Sequence, residues 1–185
     1  MFRTLSFALL VGLTGLAANA EDSKSKFTPL FNGKDLTGWQ VVANKDKDKA
    51  GESTDGKAET PTKRFVAKDG NLVIDPKVKG DLVLKTAKAY GGDAHVKFEF
   101  KPGEACNNDL YFRGQKFDIK KDPALKMKDG EWNLFEIVVV GADGEFKCNG
   151  ETVKKFKAKP DATPFGIRAE FGAIEFRNLQ ITAKE

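Results

Sequence analysis

The segment His95-Val-Lys-Phe-Glu-Phe100 decides the fold, because apolar and polar side chains alternate along it with a period of two. In an extended chain this alternation sends the valine and both phenylalanines to one face and the histidine, lysine and glutamate to the other. One face can then enter a core while the other meets solvent. The segment therefore predicts a half-buried β-strand.

Short runs of the same kind lie on both sides of this strand, separated by turn formers. Asp69-Gly70 divides residues 64–74 into a predicted hairpin, and Asn149-Gly150 lies in a predicted three-stranded meander over residues 132–156. Residues 81–85, 110–113 and 117–119 are shorter strand candidates.

The last two predicted strands cover residues 165–171 and 174–181. Strict alternation fails between Phe176 and Leu179, which indicates a bulge near Arg177-Asn178. No stretch of the mature chain shows sustained helical periodicity. Fifteen phenylalanines, two of them near the N-terminus, supply core volume. We predict an all-β fold, an antiparallel β-sandwich.

The first twenty residues have the layout of a cleavable secretory signal: Arg3, an apolar run over residues 5–16, and then Ala18-Asn19-Ala20. We expect an exported protein, periplasmic or extracellular, that begins near Glu21. The apolar run is too short to span a bilayer and no second run approaches the required length, so we predict no membrane span.

Residues 21–185, about 165 in number, suffice for one domain with a sizeable core. Within it, residues 44–63 are almost free of apolar side chains and predict a mobile polar surface loop. The segment Phe27-Thr-Pro-Leu-Phe-Asn-Gly-Lys-Asp-Leu-Thr-Gly-Trp39 combines apolar anchors with turn formers and predicts an irregular hook fastened to the core.

Net charge limits the classes of binding partner that we expect, and the number of cysteines limits the possible disulfides. The formal net charge is +4, and the lysines are scattered among acidic neighbours, which excludes nucleic acid as an expected partner. An oxidising compartment allows a disulfide between Cys106 and Cys148. The alternative is two buried thiols that act as small apolar side chains.

Several chemistries lack the residues they need. The serines beyond the signal, Ser23, Ser25 and Ser53, lie in the tail or the polar loop, which disfavours a serine nucleophile. His95 is the only histidine, so a zinc site built from histidine and cysteine is not expected. No glycine-rich phosphate loop opens a helix, so no nucleotide cofactor is predicted.

Carboxylates, arginines, amides and aromatic rings on a β-surface remain, and these groups bind sugars and perform acid–base chemistry on them. Glu99 and Arg113 lie on separate predicted strands, and Arg168 and Glu170 lie on a third. If these faces converge, arginine would orient a glutamate as a base and Trp or Tyr would stack on a sugar ring. The alternative is that they are ordinary surface ion pairs.

Several short motifs occur in one order along the mature chain, and together they resemble the 3-keto-disaccharide hydrolase family, also described as 3-keto-glucoside lyase and hydratase domains. The motifs are Phe31-Asn-Gly-Lys-Asp-Leu-Thr-Gly-Trp39, Asp69-Gly-Asn-Leu72, Asn107-Asn-Asp-Leu-Tyr-Phe-Arg113, Gly130-Glu-Trp-Asn133, Cys148-Asn-Gly150, Pro164-Phe-Gly-Ile167 and Glu175-Phe-Arg-Asn178.

This resemblance implies a concanavalin-like jelly roll that acts on glycosides whose C3 hydroxyl has been oxidised to a ketone. A ketone at C3 acidifies the proton at C2, so a base can remove that proton while the glycosidic oxygen leaves C1, and water adds later. The resemblance nominates Glu99 or Asp118 as the base, with Arg113 and Arg168 holding the oxyanion or sugar hydroxyls. The predicted substrate-binding residues are Asn107, Tyr111, Trp132, Arg168 and Glu170.

Departures from the family pattern fall at these same positions. The family's Asn-Ser-Gly motif reads Asn107-Asn108-Asp109, and Glu170 stands where the family usually has histidine. No cofactor is predicted, although Asp109, Asp118 and Glu170 are oxygen ligands that could serve a divalent metal such as calcium. The leading hypothesis is cleavage of 3-keto-glycosides. The alternative is a non-catalytic carbohydrate-binding or cell-envelope module on the same fold.

Overall fold

Strands and turns make up almost all of the computed structural model, which describes residues 26–120 and 122–184. The predicted signal at residues 1–20 lies outside these residues. Along the described chain, the strands are β1 (Thr28–Pro29), β2 (Trp39–Ala43), β3 (Glu52–Ser53), β4 (Phe65–Lys68), β5 (Asn71–Ile74), β6 (Leu82–Thr86), β7 (Ala94–Pro102), β8 (Asn107–Phe112), β9 (Gln115–Lys120), β10 (Asn133–Val140), β11 (Asp143–Cys148), β12 (Glu151–Lys157), β13 (Gly166–Phe171) and β14 (Ile174–Ala183). Single 3-10 turns cover Asn44–Asp46 and Pro123–Leu125.

These strands form two antiparallel sheets. The eight-stranded sheet has the order β12-β11-β10-β7-β14-β5-β4, with β1 paired to β14, and the six-stranded sheet has the order β3-β2-β6-β13-β8-β9. Every strand predicted from the sequence is present, and β7 alternates between buried and half-buried residues along its whole length. The antiparallel β-sandwich prediction is therefore confirmed.

Phenylalanine rings fill the space between the two sheets. Phe117 of the six-stranded sheet has its ring centroid 5.0 Å from that of Phe135 and 4.6 Å from that of Phe146, which both belong to the eight-stranded sheet. Phe98 and Phe165 meet in the same way at 6.0 Å. Each fully buried ring stabilises the fold by about 2 to 3 kcal/mol, so these contacts hold the layers together.

The N-terminal segment forms the predicted hook. Leu36 and Trp39 are fully buried, and the indole Nε1 of Trp39 donates a hydrogen bond of 2.7 Å to the carbonyl of Leu30. The side-chain oxygen of Asn32 accepts from the backbone N–H groups of Lys34 and Asp35, at 2.8 and 2.9 Å, and closes the turn. Polar side chains thus fix the turn of this hook, and apolar side chains fasten it to the core.

Residues 44–63 contain more structure than their composition predicts. The hydroxyl of Thr54, which is fully buried, donates to the carbonyls of Leu36 and Trp39, both at 2.9 Å. Glu59 forms a bridge with Val66 of β4. Hydrogen bonds to backbone carbonyls, rather than apolar burial, fasten this segment. Its mobility stays a prediction.

The two cysteines are free, so the disulfide expectation is wrong and the alternative of two buried thiols describes them. Cys106 precedes β8 in one sheet and Cys148 ends β11 in the other. Burial raises the pKa of each thiol to about 11. Both side chains therefore stay protonated at neutral pH and pack as small apolar groups.

Candidate functional site

The outer face of the six-stranded sheet carries a set of charged and phenolic side chains that the strand register brings together. Ile167 and Ala169 of β13 enter the core, so Arg168 between them points away from it. Arg168 is opposite Asp109 of β8, and Asp109 is opposite Asp118 of β9. We call this set the polar cluster; it consists of Asp81, Asp109, Tyr111, Lys116, Asp118, Arg168 and Glu170.

Arg168 joins three carboxylates of the polar cluster. Its Nε and Nη2 atoms donate to the two carboxylate oxygens of Asp81 at 2.7 and 3.1 Å. Its Nη1 donates to Asp109 at 2.7 Å, and Nη2 lies 3.0 Å from Glu170 Oε1. Hydrogen bonds to Asp81 raise the pKa of Arg168, and so do those to Asp109. All three guanidinium nitrogens are engaged, so this side chain is locked in place.

Asp109 and Asp118 form a carboxyl pair with opposite tendencies. The Asp109 side chain is fully buried, and burial, followed by the hydrogen bond to Asp118, raises its pKa. The hydrogen bond from Asp109 lowers the pKa of Asp118, and Lys116, whose Nζ lies 2.5 Å from Asp118 Oδ1, acts in the same direction. Asp109 therefore holds a proton more strongly than Asp118, which is the accessible member of the pair and favours the carboxylate form.

Tyr111 adds a neutral donor to this arrangement. Its hydroxyl lies 3.2 Å from Asn44 Oδ1 and 3.4 Å from Asp109 Oδ2. Burial raises the pKa of Tyr111 to about 12, with the Asp109 charge acting in the same direction. The side chain is therefore a phenol at neutral pH and can donate one hydrogen bond.

A cavity of about 630 Å³ opens beside the polar cluster. Tyr111 and Lys116 line it together with Lys85, Lys159 and Gly166. Gly166 has no side chain, and a Cβ at this position would lie 3.3 Å from a methyl group of Val83 and 3.6 Å from the Cβ of Lys85. The absence of a side chain at Gly166 therefore leaves more space in the cavity. The volume of the cavity is in the range of sites that bind small ligands.

Arg113 is placed near this cavity but is engaged by backbone groups. It is 2% exposed, and its guanidinium donates to the carbonyls of Gly92, Lys159 and Pro160 at 2.7, 2.8 and 3.4 Å. The residue has a positive φ of 48° at the tip of the β8–β9 hairpin. These contacts tie the hairpin to the loop before β13. In the structure, Arg113 stabilises the position of this hairpin. Its proposed role in holding an oxyanion stays a prediction.

Glu99 does not join the polar cluster, so the expected convergence with Asp118 and Arg168 is wrong. It lies on β7 of the eight-stranded sheet, facing away from the core, and forms two hydrogen bonds of 3.0 Å with Arg177. Hydrogen bonds from Arg177, and further from Asn178, lower the pKa of Glu99. The reason is topological: β7 pairs with β10 and β14, never with β8 or β13.

The predicted substrate-binding residues divide between the two sheets. Trp132 lies near Glu99 rather than near the polar cluster. The guanidinium of Arg177, which bonds to Glu99, lies 4.0 Å from the centroid of the Trp132 ring. Tyr111, Arg168 and Glu170 belong to the polar cluster. Asn107 begins β8 at the far end of the same sheet, opposite Lys120. Their binding roles stay predictions.

Sequence reasoning missed three residues of the site. Lys116 precedes Asp118 by two positions on the same strand face, a spacing that could have identified it. Lys85 lies on the face of β6 that lines the cavity. Because it follows the apolar Leu84 in a strand, the alternation of faces could have predicted that Lys85 points away from the side of Leu84. Asp81 lies 87 positions from Arg168 and gives no local signal.

Metal binding receives no support from the carboxylates named for it. Among the described residues no group of three or more histidine, cysteine or acidic side chains could hold a metal ion. Arg168 is bonded to Asp109 and Glu170, and Lys116 contacts Asp118. Because the side chains of Arg168 and Lys116 already contact these carboxylate oxygens, the three residues do not fit a calcium site. Separately, no helix in the described ranges is long and apolar enough to cross a bilayer.

The fold and the polar cluster define a jelly-roll sandwich domain with a site on the outer face of one sheet. Residues 26–127 match the model of the 3-keto-alpha-glucoside-1,2-lyase-like domain. The chain therefore belongs to this family, as its motifs predict. No curated protein matches the chain in sequence.

Solved structures share the fold at low sequence identity. A crystal structure from Parabacteroides distasonis, described provisionally as a glycosyl hydrolase, superposes with a TM-score of 0.63 at 19% identity over 86% of this chain and 94% of its own. The exoplasmic/lumenal domain of VIP36, bound to Ca2+ and Man3GlcNAc, reaches 0.55 at 8% identity, over 86% and 91%. The carbohydrate binding module CBM66 from Bacillus subtilis reaches 0.50 at 13% identity, over 80% and 96%. These similarities establish the concanavalin-like sandwich.

Proposed function

We propose that this domain cleaves 3-keto-glycosides by elimination across C1 and C2, with Asp118 as the base. The observation that carries the proposal is that Asp109 and Asp118 lie opposite each other on β8 and β9, and that Lys116, which lines the cavity, contacts both. Family membership supports the reaction class. Asp118 is favoured over Glu99, the other nominated base, because Glu99 is held by Arg177 on the opposite sheet.

The reaction needs one proton acceptor and no nucleophile. The Asp118 carboxylate takes the proton from C2, and the electrons of the C–H bond form an enolate with its charge on the C3 oxygen. The C3=O bond then re-forms, the enolate electrons make the C1=C2 double bond, and the C1–O bond breaks. The departing oxygen then takes a proton, which Asp118 can return, so the carboxylate is regenerated. Water adds to the double bond in a later step. The lowered pKa of Asp118 keeps it ionised at neutral pH but also makes it a weaker base, so the reaction relies on stabilisation of the enolate.

Negative charge develops on the C3 oxygen as the C2 proton leaves. Two donors are placed to receive it: the Lys116 ammonium, whose side chain is 49% exposed, and the Tyr111 phenol. Both residues line the cavity. Preorganised donors of this kind stabilise an enolate more than they stabilise the neutral ketone. Asp109 and Arg168 are positioning residues here, because Asp109 lies opposite Asp118 and Arg168 holds Asp109 in place.

The test uses 4-nitrophenyl 3-keto-glucosides of both anomers, with and without deuterium at C2. We expect the wild-type protein to release nitrophenol more slowly from the deuterated substrate, because C2–H cleavage contributes to the rate. Asp118→Asn should lower the rate by at least about 100-fold. Glu99→Gln is the matched control, since it makes the same carboxylate-to-amide change on the other sheet, and it should keep the wild-type rate. A wild-type rate in Asp118→Asn would contradict the proposal.

A second candidate is a carbohydrate-binding module without turnover. One observation favours it: Arg168, Asp81, Asp109 and Glu170 already satisfy one another, so this part of the cluster is closed to the reacting atoms. The same substrates distinguish the two functions. A binding module would bind 3-keto-glucosides and ordinary glucosides alike, and would release no nitrophenol above the buffer rate.

A further inference from the structure

The charges around the cavity are unequal. Lysines at four positions line it, with a single carboxylate among the lining residues, Asp48. A neutral sugar needs hydrogen-bond donors and acceptors in balance, whereas the cationic side chains of this wall outnumber its carboxylates. The excess of ammonium groups suggests that the ligand brings negative charge. The lining lysines are Lys47, Lys85, Lys116 and Lys159.

Two of these lysines already have carboxylate partners. Lys47 Nζ lies 3.1 Å from Asp48 Oδ2. Lys116 contacts Asp118 at 2.5 Å and Asp109 at 3.4 Å. The positive charge of these two lysines is therefore compensated within the protein.

Lys85 has no carboxylate partner among the described residues. It is 8% exposed, and its Nζ donates to two backbone carbonyls, that of Lys47 at 2.8 Å and that of Lys49. An ammonium has three donors, so one N–H remains for a ligand. Burial lowers the pKa of Lys85, with the Asp48 charge opposing the shift. A nearby anion would offset this desolvation of the ammonium.

Lys159 is also without a carboxylate partner in the described chain, and its position is set by the backbone. Its N–H donates to the carbonyl of Arg113 at 2.9 Å, and its own carbonyl accepts from Arg113 Nε at 2.8 Å. Its side-chain stem lies across Gly114, where a Cβ would come within 2.5 Å of the Lys159 Cγ and Cδ atoms. The missing side chain at Gly114 makes room for this lysine at the cavity wall.

We propose that the cavity binds an anionic substituent of the glycoside, a carboxylate or a sulfate ester, through Lys85 and Lys159. The substrate class is then acidic glycosides. The inference rests on the proposed function, since it treats the cavity as the sugar-binding part of that site. Lys85, which is buried, and Lys159, which is exposed at the cavity wall, have no carboxylate partner among the described residues and can donate the charge-assisted hydrogen bonds that such a group needs.

Calorimetric titration of the full chain with three probes tests this inference: methyl glucuronide, glucose 6-sulfate and methyl glucoside, at low salt. We expect at least one anionic probe to bind about tenfold more tightly than the neutral glucoside. Preference for the glucuronide identifies a uronate, and preference for the sulfate identifies a sulfate ester. The preference should decrease in 0.5 M NaCl, because salt screens the charges.

Lys85→Met and Lys159→Met should each lower the affinity for the anionic probe by about fivefold and lower the affinity for methyl glucoside by a clearly smaller factor. Because Lys85 also fastens residues 47–49, Lys159→Met provides a test that leaves that segment intact. Lys154→Met, on exposed β12 of the other sheet, is the control for loss of one charge. Equal affinities for all three probes, or equal losses in the control, overturn the inference.

The two proposals fail separately. Cleavage of a neutral 3-keto-glucoside without any preference for anionic probes overturns the acidic substrate class and leaves the elimination reaction standing. Tight, lysine-dependent binding of an anionic probe by a protein that cleaves no 3-keto-glycoside supports the anionic site and overturns the reaction.

Discussion

The two sheets carry similar arginine–carboxylate pairs on their outer faces, yet the surroundings of these pairs differ. On the six-stranded sheet, Arg168 is 15% exposed and bonds to Asp109, whose side chain is fully buried. On the eight-stranded sheet, the Arg177 and Glu99 side chains are 38% and 29% exposed. The first pair adjoins a second carboxyl and a cavity, and the second is an ordinary surface ion pair. Residue type alone does not distinguish them.

Enclosure is what distinguishes a candidate site from an ordinary surface ion pair. Water screens an exposed pair and solvates the remaining group when a partner is lost, so the pair adds little to stability. Water cannot solvate a buried carboxyl in this way, so the carboxyl depends on its protein partners. Matched substitutions on the two faces should therefore differ in their effects.

The largest expected effect is on stability. Arg168→Met leaves the buried Asp109 with only Lys116, at 3.4 Å, as a cationic partner, and we expect a loss of about 2 to 3 kcal/mol in the free energy of unfolding. Arg177→Met, the same change on the other sheet, should have a much smaller effect. Urea unfolding monitored by tryptophan fluorescence measures both, and losses of equal size would show that the two faces do not differ.

A second comparison concerns the titration of Asp118. Its pKa is lowered first by the hydrogen bond from Asp109, so Asp109→Leu should move the midpoint to higher pH. Asp109→Asn keeps an N–H donor at this position and should move it less. Carbon-13 NMR of the aspartate carboxyls follows the midpoint directly, and Glu99→Gln should leave it unchanged. A midpoint that stays in place in Asp109→Leu would refute the coupling of the two carboxyls.

The smallest effect is expected on the eight-stranded sheet. The folded-state pKa of Glu99 is lowered by Arg177, so its contribution to stability is present above the unfolded-state value and is lost as pH falls through the folded-state value. We expect wild type to exceed Glu99→Gln in stability by less than about 1 kcal/mol at pH 7, and this difference to shrink steadily as the pH falls below the unfolded-state pKa of Glu99. Thermal unfolding across a series of acidic pH values measures the difference, and a difference that stays constant with pH would contradict this account.

Much of the fold could be predicted because its signals are local. The turns Asp69-Gly70 and Asn149-Gly150 have positive φ at both residues, as the sequence pairs indicate for hairpins. The bulge occurs where alternation fails, with a register shift between Arg177 and Gln180. Alternation also predicted correctly that Glu99 faces away from the core. These features depend on neighbours a few residues apart.

The candidate site was predicted only in part, because alternation reports the face of a strand and not the layer to which the strand belongs. Asp118 and Arg168 were named and do lie together, whereas Glu99 had equal support and lies on the other sheet. The contacts that decide this join residues far apart: Arg168 and Asp109 are separated by 59 positions, and Arg177 and Glu99 by 78. No local pattern encodes such pairings.

By itself, the sequence determined an all-β sandwich, its hairpins and the family, since side-chain periodicity, turn chemistry and ordered motifs are properties of short segments. The three-dimensional arrangement alone set which carboxyls lie opposite each other, which lysines at the cavity have no carboxylate partner among the described residues and which arginine is enclosed. Those outcomes follow from strand order and cross-strand register, because the strength of an electrostatic interaction depends on the distance between groups and on their exclusion from water.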